Sequence, residues 1–286
     1  MTTIINTTNL SAYWVPGEVW GHSIALAPML AVHAAYLTER SKGQVPKGFS
    51  FWEWENPRAA KECLEASWNM TGKWQARRKA PVPRSSFDDL VPVVVARLAA
   101  TLNRNRVFCL RDLDVLPPAR YHRVVSKVHE AVADISKLRN TNDIEPVLGS
   151  KVLHHFFPSI VPVFDRRFIR EGVLRTEAYS HFVQQDTDGW LIYGTSHEAG
   201  GPRLLDFHRY FAFGAHAVGI APPPVLKAVR KTFARGFSPL APTLYANDQE
   251  SLLWTLDAKI AEYCMIGQAH LDGLIEGGGR SEKTGW

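Results

Sequence analysis

Hydrophobic and polar positions alternate with a helical period along most of the chain. In residues 118–138, six apolar side chains fall on one face of a helix, namely Tyr121, Val124, Val125, Val128, Val132 and Ile135. Proline and capping residues begin several further segments of this kind. The pattern predicts helices over residues 23–40, 57–70, 87–102, 118–138, 148–157, 164–174, 222–237 and 248–274.

Strand signals are few in this sequence. A short apolar run at residues 190–193 follows a turn sequence that ends in Gly189, and it is the best candidate for a strand. We therefore expect an all-α or mainly α fold with at most a short β-hairpin. Three regions are predicted: an N-terminal helical region over residues 1–72, a larger helical domain over residues 73–276, and a flexible Gly-rich tail over residues 277–286.

The composition and charge of the chain exclude some classes of function and permit others. The chain has 286 residues and a net charge of +5, which permits a polyanionic partner without requiring one. Its three cysteines, Cys63, Cys109 and Cys264, include no CxxC pair, and this excludes a zinc ribbon and a four-cysteine iron–sulfur cluster. We expect no metal and no cofactor. The sparse cysteines and the lack of a signal peptide or membrane-length apolar run predict a cytoplasmic protein with no membrane association.

The stretch from residue 140 to residue 170 carries the most chemical information. Gly149 and Ser150 begin a helix that bears Lys151 in its first turn, and Pro158 ends that helix. Seven residues of helix rise only ~10 Å, so a chain reversal brings Asp165 back toward Lys151. The apolar neighbours of Lys151 predict partial burial, which lowers the pKa of a lysine and makes its amine a nucleophile.

The segment from Leu148 to Val152, followed by Val161-Pro162-Val163-Phe164-Asp165, resembles the helix-hairpin-helix DNA glycosylases, especially their 8-oxoguanine branch. The resemblance implies that Lys151 attacks the sugar C1′ and forms a Schiff base, and that Asp165 stabilises the positive charge on the sugar. It also implies a DNA partner and base excision by nucleotide flipping. Lys151 attack and water attack both remain open. The flanking regions do not follow the familiar repair enzymes, which is compatible with phage defence by excision of a hypermodified cytosine such as glucosylated hydroxymethylcytosine.

Basic and aromatic residues supply the remaining candidates for DNA contact. Arginine and lysine side chains bind phosphates, and backbone N–H groups at a helix N-terminus do the same. Aromatic rings stack on bases. The predicted DNA-binding residues are Arg77, Arg78, Lys79, Arg84, Gly149, Ser150, Arg166, Arg167 and Arg170, and the predicted base pocket contains Trp52, Trp54, Trp74 and Phe164.

Each of these features also has a simpler structural explanation. Lys151 can extend from an amphipathic helix to solvent, and Asp165 can serve only as a helix N-cap. The aromatic cluster at residues 51–54 can be part of the hydrophobic core. His154 and His155 are adjacent and point about 100° apart on a helix, which disfavours a shared metal. Two alternatives to a glycosylase are a non-catalytic nucleic-acid-binding helical protein and a metal-dependent nuclease, the latter without a compact ligand motif. The sequence does not indicate an oligomeric state.

Overall fold

The computed structural model describes residues 3–13, 57–73, 76–77, 81–139, 144–184, 202–237 and 257–275. Helices account for 79% of these residues and no strand occurs among them, which confirms the all-α prediction. The predicted helix at residues 23–40, the candidate strand at residues 190–193 and the tail over residues 277–286 lie outside the described residues.

The α-helices of the described residues begin with a short N-terminal segment and end with a long buried helix. They are α1 (Thr7–Tyr13), α2 (Pro57–Lys73), α3 (Arg84–Asn105), α4 (Leu110–Asp114), α5 (Pro118–Ser136), α6 (Val147–Phe156), α7 (Glu177–Gln184), α8 (Pro202–Gly219), α9 (Pro223–Phe237) and α10 (Asp257–Leu271). None of them is both long enough and apolar enough to cross a membrane.

Helix α5 follows its sequence pattern closely. All six apolar positions of the predicted face are buried, and proline occupies the first turn, where its missing N–H costs no hydrogen bond. Its neighbours on the two sides are α3 and α6. Helix α5 therefore supports α6, the helix that carries Lys151.

Helix α6 is buried on all sides. Every residue from Leu148 to Phe156 is in the interior, and the helix packs against α5 and α2. A helix that is enclosed in this way belongs to the core rather than to the surface. Lys151 therefore projects from the inside of the protein.

The predicted helix over residues 164–174 does not form as one α-helix. The chain instead makes a π-helical turn, Arg166–Arg170, and then a 3₁₀ turn, Val173–Arg175. Gly172 joins the two turns. A Cβ at Gly172 would lie 2.5 Å from the backbone oxygen of Phe168, so the two turns are closely packed. They take the place of the predicted continuous helix.

One hydrophobic core crosses the predicted boundary at residue 72. Leu10 and Cys63, from the predicted N-terminal region, belong to the same buried cluster as Val152 and Ile260. Helix α1 packs against α10, and α2 packs against α6. The described helices of the two predicted regions thus share their interior.

Candidate active site

The structure brings Lys151 and Asp165 together. The predicted reversal occurs after Phe156, where the N–H groups of Ile160 and Val161 donate to the backbone oxygen of Phe157. The chain then returns along α6, and Lys151 Nζ lies 3.9 Å from Asp165 Oδ2. The Lys151 side chain is 5% exposed and the Asp165 side chain is 27% exposed, so the carboxylate is more accessible to solvent than the amine.

Two side chains fix the segment that precedes Asp165. The Ser150 hydroxyl accepts a hydrogen bond from the Phe164 N–H at 3.0 Å, and Glu262 Oε2 accepts one from the Val163 N–H at 3.1 Å. Ser150 directly precedes Lys151 in the sequence. The position of Asp165 is therefore tied to the helix that carries Lys151.

The two oxygens of Asp165 have different partners. Oδ1 accepts hydrogen bonds from the N–H groups of Arg167 and Phe168, at 2.9 Å and 3.3 Å, and so caps the following turn. Oδ2 is the atom nearest to Lys151. The predicted N-cap role is confirmed, and it leaves one oxygen for a charged group.

The surroundings of Lys151 favour its neutral form. Burial lowers the pKa of the amine, while the carboxylates of Asp165 and Glu262 oppose that change. A lysine with a lowered pKa has more free amine at neutral pH and is a better nucleophile. The sequence predicted partial burial of Lys151, and the structure buries it almost completely, with 5% of the side chain exposed.

Three buried polar residues of this region were not predicted from the sequence. Lys259 Nζ and Glu262 Oε1 form an ion pair at 2.6 Å inside α10, and both side chains are less than 10% exposed. Tyr210, on α8, is fully buried, and its hydroxyl has no hydrogen-bond partner among the described residues. In the sequence, burial of Lys259 and Glu262 is indicated by their position within the otherwise apolar residues 258–266.

Tyr210 remains a hydrogen-bond donor. Burial raises the pKa of its hydroxyl, and the charges of Glu262 and Asp165 raise it further. The ring of Tyr210 contacts that of Phe164 edge to face, with 6.1 Å between centroids. Phe164 itself is 1% exposed and also contacts Phe207, so this predicted base-pocket residue is part of the core here.

The predicted DNA-binding arginines near residue 80 have partners within the protein. Arg84 pairs with Asp88 at 2.7 Å and with Glu65 at 2.8 Å. Arg77 lies over the ring of Trp68, 3.5 Å from its centroid, and donates to the Trp68 backbone oxygen at 2.8 Å. Five predicted residues lie outside the described residues, namely Trp52, Trp54, Trp74, Arg78 and Lys79.

The arginines after Asp165 lie at the surface. Arg166 pairs with Glu171 at 3.3 Å, and Arg170 pairs with Asp206 at 2.9 Å. Arg167 is exposed, and its guanidinium lies 5.7 Å from the ring centroid of Phe168. Two of these three guanidinium groups are therefore paired with carboxylates of the protein. DNA contact by these residues stays a prediction.

Gly149 and Ser150 use their N–H groups inside the protein. The Gly149 N–H donates to Ser136 Oγ at 3.1 Å, and the Ser150 N–H donates to the Pro146 backbone oxygen at 2.9 Å. Both residues are buried. The Gly149 bond joins α6 to α5, and the Ser150 bond closes the first turn of α6. Phosphate contact by these two residues stays a prediction.

Gly149→Ala is expected to lower the free energy of unfolding by about 1–3 kcal/mol. A Cβ at Gly149 would lie 2.1 Å from the Val132 backbone oxygen, so α5 and α6 must move apart. Urea denaturation measures the change. The matched control is Gly214→Ala, also inside a helix, where the nearest atom is the flexible Met265 Cε at 3.3 Å. Equal stability of the two variants would contradict close packing at Gly149.

The two histidines of α6 are structural in this arrangement. His154 Nδ1 lies 2.6 Å from the Val161 backbone oxygen, and His155 Nδ1 lies 2.8 Å from Ser67 Oγ. Burial lowers the pKa of His155 from its ordinary 6.5 to about 3, and lowers that of His154 as well. Both rings are therefore neutral at pH 7.

Protein stability is expected to fall as the pH drops from 6.5 toward 3. In this window His155 of the unfolded chain binds a proton that the folded protein excludes, so acid favours unfolding. Above pH 6.5 the contribution of neutral His155 to the stability of the folded protein is fully present. Urea denaturation at pH 7, 6, 5 and 4 should show a smaller decline for His155→Gln than for the wild type. His181→Gln, at an exposed position, should keep the wild-type slope, and an unchanged slope in His155→Gln would refute this assignment.

No family model matches the chain, and neither a curated protein nor a solved structure is significantly similar to it.

Proposed function

We propose that this protein is a DNA glycosylase that excises a modified base. The observation that carries the proposal is the pairing of a buried amine with a partly exposed carboxylate, Lys151 Nζ and Asp165 Oδ2, at 3.9 Å. Base excision requires an anion beside the sugar and a nucleophile at C1′. The pair supplies both within one short segment of the chain.

The proposed reaction begins with breakage of the bond between C1′ and the base nitrogen. The base leaves with the electron pair and takes up a proton, and positive charge develops on the sugar. The Asp165 carboxylate stabilises this charge. Either the free amine of Lys151 or a water then bonds to C1′. The attacking amine or water releases a proton, which balances the proton that the base takes up. Amine attack is followed by breakage of the C1′–O4′ bond, which gives a Schiff base and permits strand cleavage by β-elimination, whereas water attack leaves an abasic site.

The greater exposure of Asp165 supports entry of the DNA sugar from the Asp165 side of the pair. Asp165 is 27% exposed and Lys151 is 5% exposed, so a sugar that enters from solvent meets the carboxylate first. Arg166 and Arg167, the next two residues, are exposed and able to contact flanking phosphates. Phosphate contacts of this kind place the nucleotide without selecting the base.

A narrower form of the proposal concerns the substrate. A hypermodified cytosine of phage DNA, such as glucosylated hydroxymethylcytosine, is the base we favour for a role in phage defence. Release of that base, with none from unmodified cytosine in the same duplex, is the expected result. Release from neither duplex would exclude this substrate.

Borohydride trapping tests the reaction directly. The full chain is incubated with duplexes that carry 8-oxoguanine, glucosylated hydroxymethylcytosine or unmodified bases, with borohydride in one set and alkali in the other. A covalent adduct that is lost in Lys151→Ala and kept in the exposed-lysine control Lys137→Ala supports amine attack. Alkali-labile sites without an adduct support water attack. Absence of both across the panel, with a folded protein, would overturn the proposal.

A non-catalytic nucleic-acid-binding protein is the second candidate. The near-complete burial of Lys151 favours it, because an amine that never reaches solvent serves as a structural ion-pair partner. This alternative predicts salt-dependent DNA binding that weakens when Arg166 and Arg167 are neutralised, with no base release from any duplex.

A further inference from the structure

Glu262 connects two parts of the site. Its Oε1 accepts a hydrogen bond from Lys259 Nζ at 2.6 Å, and its Oε2 accepts one from the Val163 N–H at 3.1 Å. Val163 lies two residues before Asp165. One buried carboxylate on α10 therefore holds a buried cation and the backbone that presents the proposed catalytic aspartate.

The Lys259–Glu262 pair needs an explanation beyond its own stability. Both side chains are almost fully removed from solvent, at 3% and 8% exposure, and taking two charges out of water is costly. An apolar pair of similar volume would fill the same space at less cost. The pair is better explained by what Glu262 does for its neighbours, since its second oxygen is used outside α10.

The charges around Lys151 come from several elements. Asp165 and Glu262 favour its ammonium form, whereas Lys259 and Arg139 disfavour it. On α6 itself, His155 is held neutral by burial, and on α8 Tyr210 is held protonated and uncharged. Two carboxylates thus oppose two cations around one amine, and α10 contributes one of each sign.

We infer that Glu262 is a positioning residue of this site, which with its counter-ion Lys259 fixes the place of Asp165 and sets the reactivity of the Lys151 amine. Its role in base release rests on the proposed function. Its effect on Lys151 does not, because the contacts and charges that produce the effect are present in the protein without DNA.

The test is a pH titration of lysine side chains by NMR, using protein labelled with ¹³C at lysine Cε. The Lys151 signal is assigned by its loss in Lys151→Arg. Glu262→Gln removes an anion and should move the Lys151 titration midpoint to lower pH, whereas Lys259→Met removes a cation and should move it to higher pH. At a fixed pH near the midpoint, each change should alter the ratio of neutral to charged Lys151 amine by about threefold or more.

Shifts of the Lys151 midpoint in opposite directions indicate an electrostatic role. Simple loss of packing would shift the midpoint in the same direction in both variants. The double variant Lys259→Met/Glu262→Gln removes one charge of each sign and should restore a midpoint near that of the wild type. It also supplies a folded reference if a single variant is unstable. No shift in any folded variant, or shifts of the same sign, would overturn the inference.

Activity measurements on the same variants distinguish the two proposals. If the glycosylase proposal holds with amine attack, Glu262→Gln and Lys259→Met should change the rate of base release in opposite directions, while the DNA dissociation constant stays close to that of the wild type. If the NMR shifts appear and no duplex releases a base, the proposed function fails and the positioning role stands. If bases are released and the Lys151 midpoint does not respond, the positioning role fails alone.

Discussion

Asp165→Asn is expected to reduce base release by roughly 10²–10³-fold while leaving DNA binding in place. The substitution removes the negative charge that the proposed mechanism places beside the developing cation on the sugar. Asparagine is also a favourable N-cap residue, so the hydrogen bonds to the N–H groups of Arg167 and Phe168 can persist. The expected loss is therefore in catalysis and not in folding.

Single-turnover release of the modified base measures this effect, and fluorescence anisotropy at a fixed salt concentration measures DNA binding. Glu171→Gln is the matched control, because Glu171 is a nearby carboxylate that pairs with Arg166 at the surface. It should retain base release. Wild-type turnover in folded Asp165→Asn would remove Asp165 from the mechanism, and a parallel loss of binding would point to a binding role instead.

Asp257→Leu is expected to lower the free energy of unfolding by about 3–5 kcal/mol. Asp257 and Arg230 form a two-point ion pair, with Nε to Oδ1 at 2.8 Å and Nη2 to Oδ2 at 2.6 Å. Their side chains are 0% and 6% exposed. Removal of the carboxylate leaves a guanidinium buried without its counter-charge, which costs far more than the loss of a surface pair.

Urea denaturation of Asp257→Leu, Arg230→Met and the double variant measures this coupling. The double variant should recover much of the lost stability, because no charge then remains buried alone, and it keeps the test valid if a single variant does not fold. Glu130→Gln, at the exposed pair with Lys127, should change stability little. Additive losses in the double variant would show that the two residues act independently.

Local patterns were sufficient to predict part of this fold. The apolar face of α5 contains enough consecutive turns to identify the helix, and the short distance between Lys151 and Asp165 in sequence limits how far the chain can carry them apart. Helix α8 has no comparable pattern. Its aromatic residues, such as Phe207, Tyr210 and Phe211, are buried on several sides, so no polar face marks a helical period.

The inner part of the candidate site depends on contacts that are distant in sequence. A lysine and a glutamate three residues apart usually indicate an exposed helix face, so the spacing of Lys259 and Glu262 conflicts with the burial that their apolar neighbours indicate. The Glu262 contact with Val163 spans 99 residues. The packing of α10 against the rest of the protein places this pair near Lys151. The hydrophobic periodicity of the sequence does not predict that packing.

The contact between α1 and α10 has a consequence for synthesis of the chain. The amide of Asn9 donates to Gln268 Oε1 across 259 residues, and Gly267 lies so close that a Cβ there would be 1.7 Å from the Asn9 backbone oxygen. During translation, the apolar residues Ile5 and Leu10 must wait for α10 to leave the ribosome before they find this partner. The contact between α1 and α10 can therefore form only late in synthesis of the chain.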